Sequence, residues 1–197
     1  FSAVGRGTLQ RIFFNRSDEP GAIMNTRKFI FDFEDGDGKN KMLLGGKGAN
    51  LCEMTRIGLN VPPGFVITTE ACLACLGDAQ RNLPAGLLDA ARTEMASLER
   101  QTGKRFGGGD DPLLVSVRSG SAMSMPGMMD TILNLGLNQT TLAALIRHTG
   151  NERFGYDAWR RFIQLFGKVA LGVPDALFDE QFEAVKSRVG VKQDVML

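Results

Sequence analysis

Leu113-Leu114-Val115-Ser116-Val117-Arg118-Ser119 is an apolar run that ends in an arginine and a serine. Its β-branched residues predict a strand over 113–118. Ser119 to Asp130 carries Gly120, Pro126 and Gly127 and reads as a loop. Ile132-Leu133-Asn134-Leu135 reads as a second short strand. After Asn138 the spacing becomes wholly helical. This stretch therefore divides the chain into an α+β part before it and a helical part after it.

Upstream, Lys28-Phe29-Ile30-Phe31-Asp32-Phe33 is rich in aromatic and β-branched residues and predicts a strand. Glu34 to Asn40 is a polar turn. Gly48 to Ile57 predicts a helix with Leu51, Met54 and Ile57 on one side and Gly58 as its stop. Val61 to Thr68 predicts a strand entered through Pro62-Pro63-Gly64, and Thr69 is suited to cap a short helix through Cys75. Leu88, Ala91, Met95 and Leu98 predict a helix from Pro84 to about Gln101. Gly107-Gly108-Gly109 is a turn. Downstream, helices are expected over 140–148, over 153–171 and from Pro174. Tyr156, Trp159, Ile163, Phe166 and Ala170 form the expected core stripe of the second.

The composition bounds the function. With 23 Lys plus Arg against 22 Asp plus Glu, the net charge of +1 gives no basic field for nucleic acid. No apolar run approaches the ~18 residues of a membrane-spanning helix, so no membrane partner is expected. Three Cys do not suit a secreted disulfide scaffold. A single His, His148, leaves no basis for a His-based metal site or a Ser-His-Asp triad. Cys72-x-x-Cys75 lacks a second pair to complete a zinc site. Asp110-Asp111 reads as a solvated turn. Arg6, Arg11 and Arg16 precede the first acid, Asp18; this is either a targeting-type composition or a plain extension.

Two segments carry chemistry. Gly45-Gly46-Lys47-Gly48 precedes the first amphipathic helix. Backbone amides at a helix start face an anion, glycines admit it closely, and Lys47 adds a point charge suited to phosphate. It is not a Walker A loop, because Gly48 stands where Ser or Thr should follow the lysine. A glycine-rich turn with an exposed lysine is the other reading. Arg118, at a strand end, suits bidentate capture of phosphate oxygens or a structural ion pair. Met123, Met125, Met128 and Met129 around Pro126-Gly127 offer an adaptable apolar surface for a flat ring, or a packing loop.

Gly45-Gly46-Lys47-Gly48-Ala49-Asn50-Leu51, Val61-Pro62-Pro63-Gly64-Phe65 and the Ser116 to Thr131 segment, with its run Ser124-Met125-Pro126-Gly127-Met128-Met129-Asp130-Thr131, together resemble the pyruvate, phosphate dikinase family. The likeness runs from about Lys28 to the C-terminus and leaves residues 1–27 outside. It implies an ATP-grasp-like nucleotide-binding subdomain over 28–137, a helical subdomain over 138–197 and an N-terminal extension over 1–27. The chain reads as the first part of an ATP-binding domain. The family converts ATP, phosphate and pyruvate to AMP, diphosphate and phosphoenolpyruvate, with Mg²⁺ accompanying the ATP. By motif, Lys47 and Arg118 are the ATP-phosphate ligands, and Met125, Gly127 and Met128 belong to the nucleotide loop. No catalytic residue and no metal ligand is expected in this stretch, and the piece alone is expected to be inactive. The partners implied are ATP, a phosphohistidine domain and a pyruvate-binding barrel, in a homodimer. The expected compartment is the cytoplasm, or an organelle such as a plastid or glycosome. A phosphoenolpyruvate synthase or other dikinase, and a silent regulatory module of the same fold, are the alternatives. Some relatives carry a second Arg where this chain has Ala122-Met123.

Overall fold

A computed structural model describes residues 28–120 and 131–192. Its elements run β1 (Ile30–Asp32), α1 (Lys41–Arg56), β2 (Phe65–Ile67), α2 (Thr69–Gly77), α3 (Leu87–Thr102), β3 (Arg105–Phe106) and β4 (Pro112–Leu113). They continue with β5 (Val115–Arg118), β6 (Thr131–Leu135), α4 (Gln139–Thr149), α5 (Glu152–Phe166), a π-helical turn (Gly167–Leu171) and α6 (Asp175–Val189). Three two-stranded sheets pair β1 with β2, β3 with β4 and β5 with β6. Mixed helices and small sheets make the chain α+β. No helix of the described residues is long and apolar enough to cross a membrane.

β1 and β2 are antiparallel, with Phe31 opposite Val66. α1 lies against this ribbon and buries Leu44, Ala49 and Cys52 among Phe31, Phe33, Leu43 and Val66. The expected stripe of Leu51, Met54 and Ile57 is not the buried face: Met54 and Ile57 are 39% and 58% exposed. Small residues decide the orientation. A Cβ on Gly36 would lie 2.3 Å from the Cys52 Sγ, and one on Gly48 would lie 2.8 Å from Val66 Cγ1. The Gly36 and Gly48 backbones therefore press on the Cys52 and Val66 side chains, and the larger apolar residues of α1 turn outward.

α2 is capped by Thr68 rather than Thr69: the Thr68 Oγ1 accepts from the Ala71 amide at 3.2 Å. α3 begins at Leu87, after a left-handed Gly86, and not at Pro84. It packs Leu87 and Ala91 onto Ile30 and Ala71. The short parallel β3–β4 pair has no signal in the sequence. Two residues per strand are too few to show a period, and Gly107 and Gly109, both at positive φ, fold the intervening turn.

β5 and β6 are antiparallel, with Val117 opposite Ile132, Arg118 opposite Thr131 and a register shift between Val115 and Val117. Ile132, Leu135 and Ala170 form a core with Val115, Val117, Phe162 and Phe166. This core joins the hairpin to α5 and runs across residue 137. α4 opens with a capping box in which Asn138 accepts from the Thr141 amide at 3.0 Å and the Thr141 Oγ1 accepts from the Asn138 amide at 2.7 Å. On α5 the buried residues are Gly155 and Ala158, whereas Tyr156 and Ile163 are 54% and 45% exposed. Phe166 and Ala170 of the expected stripe do enter the core, whereas Tyr156 and Ile163 turn outward. A Cβ on Gly155 would sit 2.4 Å from Ile146 Cγ1, so the crossing with α4 is closest there and turns the small-residue face inward. The expected helix over 153–171 divides at Gly167, where the π-helical turn carries Ala170 fully into the core.

Candidate functional site

The glycine-rich segment starts with a cap. Asn40 accepts from the Leu43 amide at 3.1 Å, an Asn placed ahead of a helical run as helix starts favour. Helical geometry then fails at Gly45, whose φ of 69° and ψ of 162° belong to glycine alone. That extended ψ turns the next peptide plane off the helix axis. In an unbroken helix the Met42 and Leu43 carbonyls accept from the Gly46 and Lys47 amides, across the residue that departs here from helical geometry. Those carbonyls are satisfied from elsewhere: the Thr69 hydroxyl donates to Met42 O at 2.6 Å and lies 3.2 Å from Leu43 O. Helical geometry resumes after Gly45, so Gly46, Lys47 and Gly48 follow directly on the kink. The predicted start at Gly48 gives way to this: a helix from Lys41, interrupted at Gly45.

Lys47 is half-buried and Gly45 is buried. By helical spacing Lys47 shares a side with Asn50, Leu51 and Met54, opposite the Gly48–Cys52 face that packs on β2. No carboxylate among the described residues pairs with it.

Arg118 is the last residue of β5 and is exposed. Val115 and Val117 face the core shared with α5, so Ser116 and Arg118 alternate onto the opposite, open face. Arg118 stands directly across from Thr131. It makes no ion pair with a described carboxylate, which removes the structural-pair reading within those residues. Lys47 belongs to the β1–β2–α1 layer and Arg118 to the β5–β6 hairpin. Met125, Gly127 and Met128 lie outside the described residues.

The remaining candidates have plain settings. His148 sits exposed in the last turn of α4. Asp110 pairs with Arg147 and Asp111 with Lys104. Cys75 is buried and its Sγ donates to Arg81 O, while Cys72 is exposed. Burial first, and then the neighbouring Cys75, push the Cys72 thiol above its ordinary value; burial and then Asp32 do the same for Cys52. Both thus disfavour the thiolate. Sequence reasoning missed Thr69 as a contact of the segment that leads into Gly45. Its acceptors stand 27 and 26 positions away, and no local pattern carries that.

The family model described as "Pyruvate phosphate dikinase, AMP/ATP-binding domain" matches residues 41–101, which include Lys47 and Thr69. A pyruvate, phosphate dikinase of Entamoeba histolytica is 58% identical over 168 residues, covering 85% of this chain and 19% of that protein. Pyruvate, phosphate dikinase 1, chloroplastic, of Arabidopsis thaliana is 48% identical over 200 residues, covering 100% of this chain and 20% of that protein. The pyruvate, phosphate dikinase of Clostridium symbiosum is 46% identical over 170 residues, or 86% of this chain and 19% of that protein. The chain spans about a fifth of the length of the curated relatives it matches. The Arabidopsis alignment takes in residues 1–27, which the motifs alone had left outside the likeness.

Proposed function

We propose that this chain, which belongs to the pyruvate, phosphate dikinase family and corresponds to the N-terminal ATP-binding part of its members, forms a phosphate-binding wall of the ATP site in such an enzyme. The observation that carries this is the Gly45 kink, two residues before Lys47 and inside the residues matched by the AMP/ATP-binding domain. In this reading Lys47 and the Gly46–Gly48 amides hold one phosphoryl group and Arg118 another. Met125, Gly127 and Met128 close over the nucleotide. Residues 28–137 are the ATP-grasp-like part and 138–197 the helical part. The division is one of role, since the core under the hairpin crosses it.

The reaction would be ATP, phosphate and pyruvate to AMP, diphosphate and phosphoenolpyruvate. Phosphoryl transfer needs in-line positioning and charge neutralisation more than covalent help. Lys47 and Arg118 supply cationic contacts that lower the cost of gathering charge on the transferred group. Mg²⁺ would arrive with the ATP and neutralise further charge. Among the described residues no group of three or more His, Cys, Asp or Glu could hold a metal ion. The phosphohistidine domain, the pyruvate barrel and a homodimer partner complete the reading. It places the enzyme in the cytoplasm, or in an organelle such as a plastid or glycosome.

Lys47→Met in the whole enzyme is the test. Losing one hydrogen-bonded contact to a charged group removes about 1.5–3 kcal/mol, or roughly 10- to 150-fold in ATP affinity. The KM for ATP is expected to rise by that factor and the KM for pyruvate to stay put. Unchanged ATP binding would refute the assignment.

A further inference from the structure

We infer that Thr69 is a positioning residue for this phosphate site, acting through the backbone of the Gly45 break; the inference rests on the reading of Lys47 given above. Three observations converge. The non-helical Gly45 lies between the Met42 and Leu43 carbonyls and their regular helical donors, the Gly46 and Lys47 amides. The Thr69 hydroxyl, from the first residue of α2, donates to Met42 O at 2.6 Å with Leu43 O at 3.2 Å. The other end of the segment is fixed as well, because Gly48 lies hard against Val66 of β2. β2 and α2 are consecutive, joined through the buried cap Thr68. One rigid β2–Thr68–α2 corner therefore holds the glycine-rich segment at two points, before the break and after it. An unpinned segment is free to close into continuous helix, in which the Gly46 and Lys47 amides donate to Met42 and Leu43. The hydroxyl opposes that closure by occupying the acceptors. Thr69 itself need not touch the ligand.

The test uses the whole enzyme with Thr69→Val, Thr69→Ala, Thr69→Ser and Lys47→Met, together with Thr55→Val as a matched control. The Thr55 hydroxyl also donates to a carbonyl of α1, Leu51 O at 2.9 Å, but one helical turn beyond the site and within the continuous helix. Loss of a hydroxyl–carbonyl bond as such is the same in both. Positioning predicts that Thr69→Val and Thr69→Ala raise the KM for ATP about tenfold with the KM for pyruvate unchanged. It also predicts that Thr69→Ser restores the native value and that Thr55→Val stays within about twofold. Equal effects of Thr55→Val and Thr69→Val would overturn it, as would a native KM for ATP in Thr69→Val. Failure of both Val and Ala variants to fold would also overturn it, by making the hydroxyl a determinant of stability. If Lys47→Met itself leaves ATP binding intact, the underlying site reading fails. If Lys47→Met weakens binding and Thr69→Val does not, only the positioning role fails.

Discussion

Gly48→Ala gives the sharpest check on how α1 meets the sheet. The added Cβ would lie 2.8 Å from Val66 Cγ1 and 3.0 Å from Cγ2. Carbon atoms rest about 3.5–4.0 Å apart, so the methyls and the helix must separate by roughly 0.5–1 Å. Val66 yields little, because a β-branched side chain has few rotamers and its backbone is paired with Phe31. Overpacking of this kind costs about 1–3 kcal/mol. Alanine is favoured over glycine in a helix by about 1 kcal/mol, which offsets part of it. The net loss is therefore about 0–2 kcal/mol, or a fall in Tm of up to roughly 8 °C for a chain of this size.

A net value so small proves nothing alone, and a double-mutant cycle with Val66→Ala isolates the contact. Val66→Ala removes the two methyls the new Cβ would strike. In its background Gly48→Ala is expected to be neutral or stabilising, giving a coupling of about 1–3 kcal/mol. Urea unfolding followed by far-UV circular dichroism supplies the four free energies. Additivity within about 0.5 kcal/mol would refute the close approach. In the whole enzyme the same clash moves Lys47 with its helix. ATP affinity should fall in Gly48→Ala and recover in the double variant.

Asn138→Ala removes the cap of α4 and its 2.9 Å bond to Gly107 O, and is expected to cost about 1–2 kcal/mol by thermal unfolding; a loss below about 0.3 would refute the capping box as a stabiliser. Asp157 is held below the ordinary carboxylate value because its bonds and charge pairing with Arg160 and Arg161 outweigh its largest single influence, desolvation, which acts upward. A depressed carboxylate stabilises the fold above its unfolded pKa of about 4, and that contribution is lost as pH falls through the lower folded value. Stability measured from pH 5 downward is therefore expected to fall less steeply in Asp157→Asn than in the native chain. The 197-residue chain by itself is expected to bind Mg-ATP no more tightly than about millimolar, since two solvated charge contacts of roughly 1 kcal/mol each plus partial ring burial total about −4 kcal/mol. Micromolar binding by isothermal titration would contradict that inventory.

Element types were legible wherever periodicity ran long, as in α3 and α4, and wherever β-branched residues clustered, as in β5 and β6. Facing was less legible. On α1 and α5 the larger apolar residues, Met54, Ile57, Tyr156 and Ile163, formed the visible stripe, yet the buried faces are those of Ala49–Cys52 and Gly155–Ala158. Hydrophobicity measures how much a side chain gains from burial. It does not measure how near a neighbouring backbone comes, and small residues win where elements nearly touch. At the site, the residue types of Lys47 and Arg118 could be read from glycine and strand-end context. The Gly45 conformation and the Thr69 contact could not, because both depend on α2 returning to the start of α1.

Glycine placement separates architecture from chemistry within the family-like motifs. In Val61-Pro62-Pro63-Gly64-Phe65, a Cβ on Gly64 would lie 2.6 Å from Phe33 Cε2, so packing alone requires that glycine. In α1 three glycines occur within four positions, at roughly 1 kcal/mol each relative to alanine in a regular helix. Packing requires Gly48, through Val66, and backbone conformation requires Gly45, through its φ of 69°. Gly46 has no positive φ and so no such backbone requirement. A glycine directly after the kink, beside a lysine, leaves its backbone open to close approach. Sequences depart from local preference where function requires it. Gly46 is such a departure, and it sits where the phosphate is proposed to bind.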